Sequence, residues 1–295
     1  MSTRADKSYR IGDAVFTARA LEAGLYLVAT PIGNLGDISI RALETLAAAD
    51  LIACEDTRTS RVLLDRYGIG TKTVSHHAHN EAASGERLLD DIEAGKVVAL
   101  ITDAGTPLVS DPGGRIAMAA RERGLKVVAI PGASAVLTAL AMAGLAAERF
   151  FFDGFLPAKQ TQRRARLASL AGLDATLIFY EAPHRIAETV ADMESVFGPS
   201  RMAAVCRELT KTFEECVRGS LRELVERYPE GVAVKGEIVI VVAPPAEAET
   251  AAADVDALLV SLAKEMPASK AAAEASRLTG EPKAELYKRL LALKG

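Results

Sequence analysis

The chain has 295 residues and a formal net charge of −4 at neutral pH. That length suits roughly two domains of ~150 residues each, and the mild negative charge excludes a global basic field, so any nucleic-acid contact must be a local patch. Cys54, Cys206 and Cys216 are an odd, scattered set, which argues against a disulfide framework and for a reducing cytoplasm.

In chain order, residues 1–23 mix Arg4, Asp6, Lys7, Arg10 and Asp13 with apolar residues. They read as a disordered or loosely ordered leader with no signal-peptide core. Leu25–Ala29 is a buried strand that empties into the Gly/Pro loop Thr30–Asp37. Ser39–Ala49 has helical spacing, with Ile40, Leu43 and Leu46 on one face. Leu51–Cys54 is a second strand, with Glu55-Asp-Thr-Arg58 at a helix start. Strands near Thr73, Val97 and Val127 alternate with helices over 81–93, 114–123 and 133–143. This alternation predicts βαβ units on a parallel sheet and an N-terminal α/β domain over 24–143.

The pattern then changes. Five strand-like runs (150–152, 175–180, 202–206, 212–218 and 236–243) are separated by only two or three helices. They predict a second, α+β domain over 144–245 with partly antiparallel pairing. The apolar run 133–147 is too short to span a bilayer. Residues 246–253 have linker composition. Beyond them 254–264, 269–278 and 282–293 read as three helices with plausible caps, a helical module over 254–295.

Two runs carry the densest chemistry, Ala99–Gly114 and Val127–Ala135. In each, an apolar strand stops at Gly/Pro and restarts as a helix, as loops lining ligand crevices do. Ordinary tight turns are the competing reading. Small residues at Ala104, Gly105, Gly132 and Ala133 let backbone groups approach a ligand. The loop after the first strand lacks Gly-x-Gly-x-x-Gly spacing, which counts against a dinucleotide-binding domain. His76, His77, His79 and His184 form no zinc pattern with the cysteines, so no metal is expected and 76–79 reads as a polar loop.

Eight motifs occur together: Leu25–Asp37, Cys54-Glu-Asp-Thr-Arg58, Thr102-Asp-Ala-Gly-Thr-Pro-Leu-Val-Ser-Asp-Pro-Gly113, Ile130-Pro-Gly-Ala-Ser134, Phe152–Pro157, Phe179-Tyr-Glu-Ala-Pro-His-Arg185, Arg207-Glu-Leu-Thr-Lys211 and Gly236-Glu-Ile-Val239. In this order they resemble the tetrapyrrole methylase family from residue 24 to the C-terminus, most of all its branch that modifies ribosomal RNA. The resemblance implies the class III methyltransferase fold, two α/β domains with the active-site cleft between them, plus the small C-terminal helical module. It also implies S-adenosyl-L-methionine as cofactor, a homodimer, and 2′-O-methylation of a cytidine in the decoding centre of 16S rRNA within the small ribosomal subunit.

By the same resemblance Gly105, Thr106, Pro107, Val109, Ser134, Ala135, Tyr180, Glu181, Ala182 and Glu237 surround the cofactor. Ser134 also reads as a helix cap, and Glu237 equally as the start of a core strand. Many relatives carry Gly-Asp-Pro where this chain has Gly105-Thr-Pro107, which puts Thr106 in doubt as a contact.

Methyl transfer to a hydroxyl needs alignment and removal of a proton. Candidates for that chemistry are Asp103, Asp56, Glu55, Lys211, Glu181 and Glu208. Asp103 or Asp56 would orient the ribose hydroxyl, with Arg58, Arg185 and Lys211 gripping phosphates. Asp56 and Arg58 also read as a helix cap and a local ion pair.

Lys159, Arg163, Arg164 and Arg166 form a basic cluster, either a solvated helix face or a phosphate patch. From Ser261 on, seven Lys/Arg, including Lys288 and Arg289, stand against four Glu, which suits a module that anchors rRNA. The rival readings are a methylase of a small tetrapyrrole, a protein-modifying relative, and a non-catalytic ribosome-assembly module.

Overall fold

The computed structural model describes residues 7–77, 80–110, 114–245 and 252–294. They form two compact units, one running to Pro244 and the other beginning at Pro245.

The first unit opens with a hairpin where a loosely ordered leader was expected. Strands β1 (Ser8–Ile11) and β2 (Ala14–Thr17) pair antiparallel across Gly12-Asp13, and Gly12 supplies the left-handed φ of +60° that such a two-residue turn needs. Tyr9 is buried and stacks on Phe16 at 5.4 Å. Lys7 Nζ ties the start of the hairpin to Asp50 at 2.7 Å. Burial of Tyr9 in the first core explains why the segment is ordered.

Next come β3 (Gly24–Val28), α1 (Ile40–Ala48), β4 (Leu51–Cys54), α2 (Thr57–Arg66), β5 (Thr73–Ser75), α3 (Glu81–Glu93), β6 (Val97–Leu100), α4 (Gly114–Glu122) and β7 (Val127–Ile130). The strands make one parallel sheet in the order β5-β4-β6-β3-β7. Strands of a parallel sheet covered on both faces read as unbroken apolar runs, and the packing shows why. Tyr26, Val28, Ile52 and Cys54 join Leu43, Leu46 and Leu64 on one side. Their neighbours Leu25, Leu51, Ala53 and Leu100 join Leu88, Leu89, Ile92 and Ile116 on the other.

Helix α5 (Ala135–Ala143) follows, then β8 (Phe150–Phe155), α6 (Gln160–Leu170), β9 (Thr176–Glu181), α7 (Ile186–Phe197), β10 (Met202–Arg207), β11 (Glu215–Ser220), α8 (Leu221–Arg227) and β12 (Ile238–Val242). The second sheet runs β11-β10-β12-β9-β8. Only β8 and β9 are parallel and the other pairs are antiparallel, in line with the mixed pairing expected. β11 begins at Glu215 rather than Thr212, because Glu208 and Thr210 turn the chain with φ of +52° and +64°. Helices α6, α7 and α8 cover one face through Leu167, Leu170, Val190, Met193 and Leu224.

The other face is covered by α5, which was expected to close the N-terminal domain. Val136, Ala139, Leu140 and Ala143 pack on Ala204, Cys206, Val239 and Val241, and Ile32 from the loop after β3 joins them. The sequence Ala-Val-Leu-Thr-Ala-Leu-Ala-Met-Ala is apolar nearly all round, so it suits a helix pressed against a sheet. A single core thus runs from the first sheet's loops into the second sheet. Cys54, Cys206 and Cys216 are all free thiols.

In the second unit, α9 (Ala252–Glu265), α10 (Ala268–Thr279) and α11 (Lys283–Lys294) surround Val255, Leu259, Ala271, Ala272, Ala275, Leu286 and Leu290. Gly280 ends α10 in the left-handed conformation, φ +75°. Most of the expected linker, residues 246–251, lies outside the described residues. Among the described residues no helix is long and apolar enough to cross a membrane.

Candidate active site

The loops after β6, β3 and β7, three neighbouring strands, open at the carboxyl edge of the first sheet, where ligand crevices form in open α/β sheets. Thr30 and Gly105 stitch the first two loops together by exchanging backbone bonds, Thr30 N–H to Gly105 O (2.9 Å) and Gly105 N–H to Thr30 O (3.1 Å). Gly105 sits at φ +83°, which is why a glycine stands there. Its own amide and carbonyl are spent on Thr30, so it shapes the loop rather than offering those groups to a ligand.

Facing these loops are the end of β9 and the Gly236–Glu237 approach to β12. A cavity of about 410 Å³ lies between. Nine of the ten residues placed around a cofactor by resemblance line it: Gly105, Thr106, Val109, Ser134, Ala135, Tyr180, Glu181, Ala182 and Glu237. Pro107 does not, and is buried. Ser134 caps α5, accepting from Leu137 N–H at 3.4 Å, and Thr106 Oγ1 donates to Ala133 O at 3.3 Å.

Sequence reasoning did not single out Ile32, Phe155 or Gly236, which also line the cavity. Their signal was membership of the quoted motifs. Phe152 and Phe155 set their rings edge-on to Tyr180, centroids 4.8 and 5.5 Å away. Another depression, of about 430 Å³, lies beside β5 and α3 away from all eight motifs.

The candidate carboxylates fare differently. Glu181 is buried, its Oε1 accepting from Ala182 N–H (2.8 Å) and its Oε2 from Thr189 Oγ1 (2.6 Å). Its carboxylate is therefore engaged within the wall that the residue helps to line. Asp56 caps α2 and chelates Arg58, accepting from Arg58 N–H at 2.8 Å and Nη2 at 2.7 Å. The Arg58 side-chain and backbone bonds pull its carboxyl down to about 2. Asp103 is exposed and does not line the cavity, although the next residue, Ala104, does; its Oδ1 accepts from Asp56 N–H at 3.1 Å. Glu55 is half-buried at the end of β4.

Lys211 occupies the seam between the two sheets' loops. Its Nζ lies 2.9 Å from Glu208 Oε1 and 3.1 Å from Glu237 Oε2. Burial lowers its pKa, but the bonds to Glu208 and Glu237 more than offset that and hold it above its ordinary 10.5. Lys211 is thus a fixed ammonium and not a proton acceptor. Bonds from Lys211 first, then from Glu237 N–H, keep the Glu208 carboxyl below its ordinary 4.5.

The basic cluster after Pro157 corrects one expectation outright. Arg163 is 0% exposed and donates to Asp192 (2.7 Å), Glu188 (2.9 Å) and Ala158 O (3.2 Å), so it pins α6 to α7 and cannot reach RNA. Arg164 shares Asp192 but is half-exposed, as is Arg166, which chelates Asp153. Arg185 is also a structural group. Its side chain is 14% exposed, donates to Leu156 O and Pro157 O, and lies 3.3 Å from Glu181. Arg58, with 89% of its side chain exposed, stands free on its outer side. In the second unit Lys288 is exposed, 3.4 Å from Glu285, and Arg289 pairs with Asp256 at 2.5 Å. His76 is buried against Ser84 Oγ at 2.7 Å; His79 and residues 111–113 lie outside the described residues.

Two α/β sheets joined by a shared core, with glycine-rich loops and an apolar cleft between them, define the class III methyltransferase architecture. Residues 24–225 match the model of the tetrapyrrole (corrin/porphyrin) methylases, and residues 249–294 match that of the RsmI C-terminal HTH domain. The chain is 55% identical over 284 residues to the ribosomal RNA small subunit methyltransferase I of Mesorhizobium japonicum, spanning 96% of this chain and 97% of that one. It is 46% identical to the protein of the same name from Pseudomonas aeruginosa, over 92% and 98% of the two chains. The chain belongs to the tetrapyrrole methylase family, in its ribosomal RNA small subunit methyltransferase I branch.

Solved structures similar to it include the methyltransferase CobJ, with TM-score 0.59 and 18% identity over 75% of this chain and 94% of that one. Another is a uroporphyrin-III C-methyl transferase from Thermus thermophilus complexed with S-adenosyl homocysteine, with TM-score 0.53 and 19% identity over 75% and 97%. At that identity the likeness carries the fold alone.

Proposed function

We propose that this protein uses S-adenosylmethionine to methylate 16S rRNA of the small ribosomal subunit, at the 2′-hydroxyl of a decoding-centre cytidine. The observation that carries the reading is the 55% identity to a small-subunit rRNA methyltransferase across 96% of the chain, helical module included. The cytidine and its 2′-oxygen rest on the motif resemblance. A homodimer belongs to the same reading, two-fold dimers being the commonest closed assembly, and so does a cytoplasmic setting beside the ribosome.

The cleft fits such a cofactor. Its volume is on the scale of nucleoside-sized sites, and Ile32, Val109, Phe155, Tyr180 and Val239 give it apolar and aromatic walls. Among the described residues no lysine or arginine lines it, and the exposed Glu237 carboxylate at its edge is paired with Lys211 at 3.1 Å. A lining without unpaired cations does not repel a cationic sulfonium. When bound, S-adenosylmethionine supplies an already activated methyl group, which leaves alignment and proton handling to the protein.

Asp103, exposed and accepting from the Asp56 amide, is the carboxylate assigned to the ribose hydroxyl, since Asp56 is committed to Arg58 and Glu181 to Thr189. Arg58, Arg164, Arg166, Lys288 and Arg289 would meet phosphates.

The test is methyl incorporation from labelled S-adenosylmethionine into small subunits from cells lacking this chain. Label in 16S rRNA is expected. No label in 16S rRNA but label in a tetrapyrrole supplied in a parallel reaction would favour the small-molecule alternative, and no thermal stabilisation by the cofactor would favour the non-catalytic one.

A further inference from the structure

The turn that ends β10 contains two non-glycine residues in the left-handed region, Glu208 and Thr210. Such backbone persists only where its surroundings fix it, and it gathers at sites that need a set geometry. Here the surroundings are the far wall of the cleft. Glu208 N–H donates to Glu237 O at 2.9 Å, while Glu208 Oε1 accepts from Glu237 N–H at 3.0 Å and from Lys211 Nζ at 2.9 Å. Gly236, at φ +94°, has room for no side chain, because a Cβ there would overlap Glu208 Cγ and Cδ.

The clasp continues across the cleft. A Cβ on Gly33 would overlap Lys211 Cγ, so the lysine stem lies flat on the loop after β3. One carboxylate and one ammonium therefore connect the Gly236–Glu237 wall of the second sheet to the Ile32–Gly33 loop of the first.

We propose that Glu208 is a positioning residue: its carboxylate latches the Gly236–Glu237 wall and, through Lys211, ties it to the Gly33 loop, so that the cofactor cleft is shaped before any ligand arrives. The inference rests on the cofactor reading above. Glu208 touches no ligand itself and acts through Glu237 and Lys211. A latch needed only for folding would change stability alone, whereas a preformed cleft lowers the ordering cost of binding.

Calorimetry of S-adenosylhomocysteine binding to the full-length protein separates the two. Glu208→Ala removes both bonds of Oε1, and its dissociation constant should rise about tenfold. Glu208→Gln keeps an acceptor oxygen for Glu237 N–H and Lys211, and should stay within about threefold of wild type. Equal affinity for Glu208→Ala and wild type would overturn the proposal, even with a lowered melting temperature. So would a Glu208→Gln variant weakened as much as Glu208→Ala.

Hydrogen exchange on the ligand-free wild-type protein needs no variant to fold. The Glu237 amide should exchange slowly although it borders the cleft, and exchange at the rate of an unprotected peptide would overturn the latch. Failure of the wild-type protein to bind S-adenosylhomocysteine would defeat the cofactor reading and this inference with it, whereas binding without slow exchange at Glu237 defeats the inference alone.

Discussion

Asp103 and Asp56 are joined by a 3.1 Å hydrogen bond, yet they are suited to opposite tasks. Asp56 is held at about 2 by its bonds to Arg58 and caps α2. Its contribution to stability is therefore present above its ordinary value of 3.8 and is lost only as pH falls toward 2. It cannot produce a loss of turnover near pH 5. Asp103 is exposed, one residue before the cavity-lining Ala104. Asp103→Asn should lower single-turnover methyl transfer about 10²- to 10⁴-fold with cofactor affinity intact. Asp56→Asn, which keeps a capping oxygen, should leave it near wild type. The reverse ranking would move the hydroxyl-handling role to Asp56. At this scale the sequence placed residue types well and directions poorly. The motifs located nine cavity-lining residues, but nothing in the string shows that Glu181 turns its carboxylate inward to Thr189 or that Gly105 spends its amide on Thr30.

Elements were legible wherever burial imposed a period. β3, β4, β6 and β7 read as apolar runs, while β5 is the short, partly exposed edge strand Thr73–Ser75, and Ser39, Ser134 and Asp56 marked helix starts as capping residues do. What escaped were features fixed by distant partners. The β1–β2 hairpin depends on Tyr9 finding a core, although Gly12-Asp13 was a local turn signal. Helix α5 looked like the end of one domain and serves the second sheet, since its apolar sequence does not say which sheet it covers.

Arg163 looked like part of a basic cluster, either a solvated face or a phosphate patch set against RNA, and only the third dimension reveals Asp192 beneath it. Its replacement is correspondingly severe. Arg163→Ala leaves Asp192 buried with only its Arg164 and Gln160 contacts, and should cost about 3–5 kcal/mol in denaturant unfolding. A loss of RNA affinity at unchanged stability would instead return Arg163 to the RNA-contacting set.

At the scale of the whole molecule, the proposed function assigns the chemistry to the first compact unit and RNA anchoring to the second. The cleft is built entirely from residues before Pro244. The three-helix unit has its own core, and over residues 252–294 it sets seven Lys/Arg against six Asp/Glu, with the basic residues concentrated after Ser261. A chain truncated after Pro244 should bind S-adenosylhomocysteine as the full-length protein does, yet lose most of its affinity for small ribosomal subunits. Equal losses in both assays would contradict that division of labour.

The central claim, that this chain methylates 16S rRNA on a ribose, is tested most directly by mapping 2′-O-methylation across 16S rRNA from cells with and without it. Loss of a single decoding-centre cytidine methylation, restored by the wild-type chain and not by Asp103→Asn, is the predicted result. An unchanged methylation map would contradict the account.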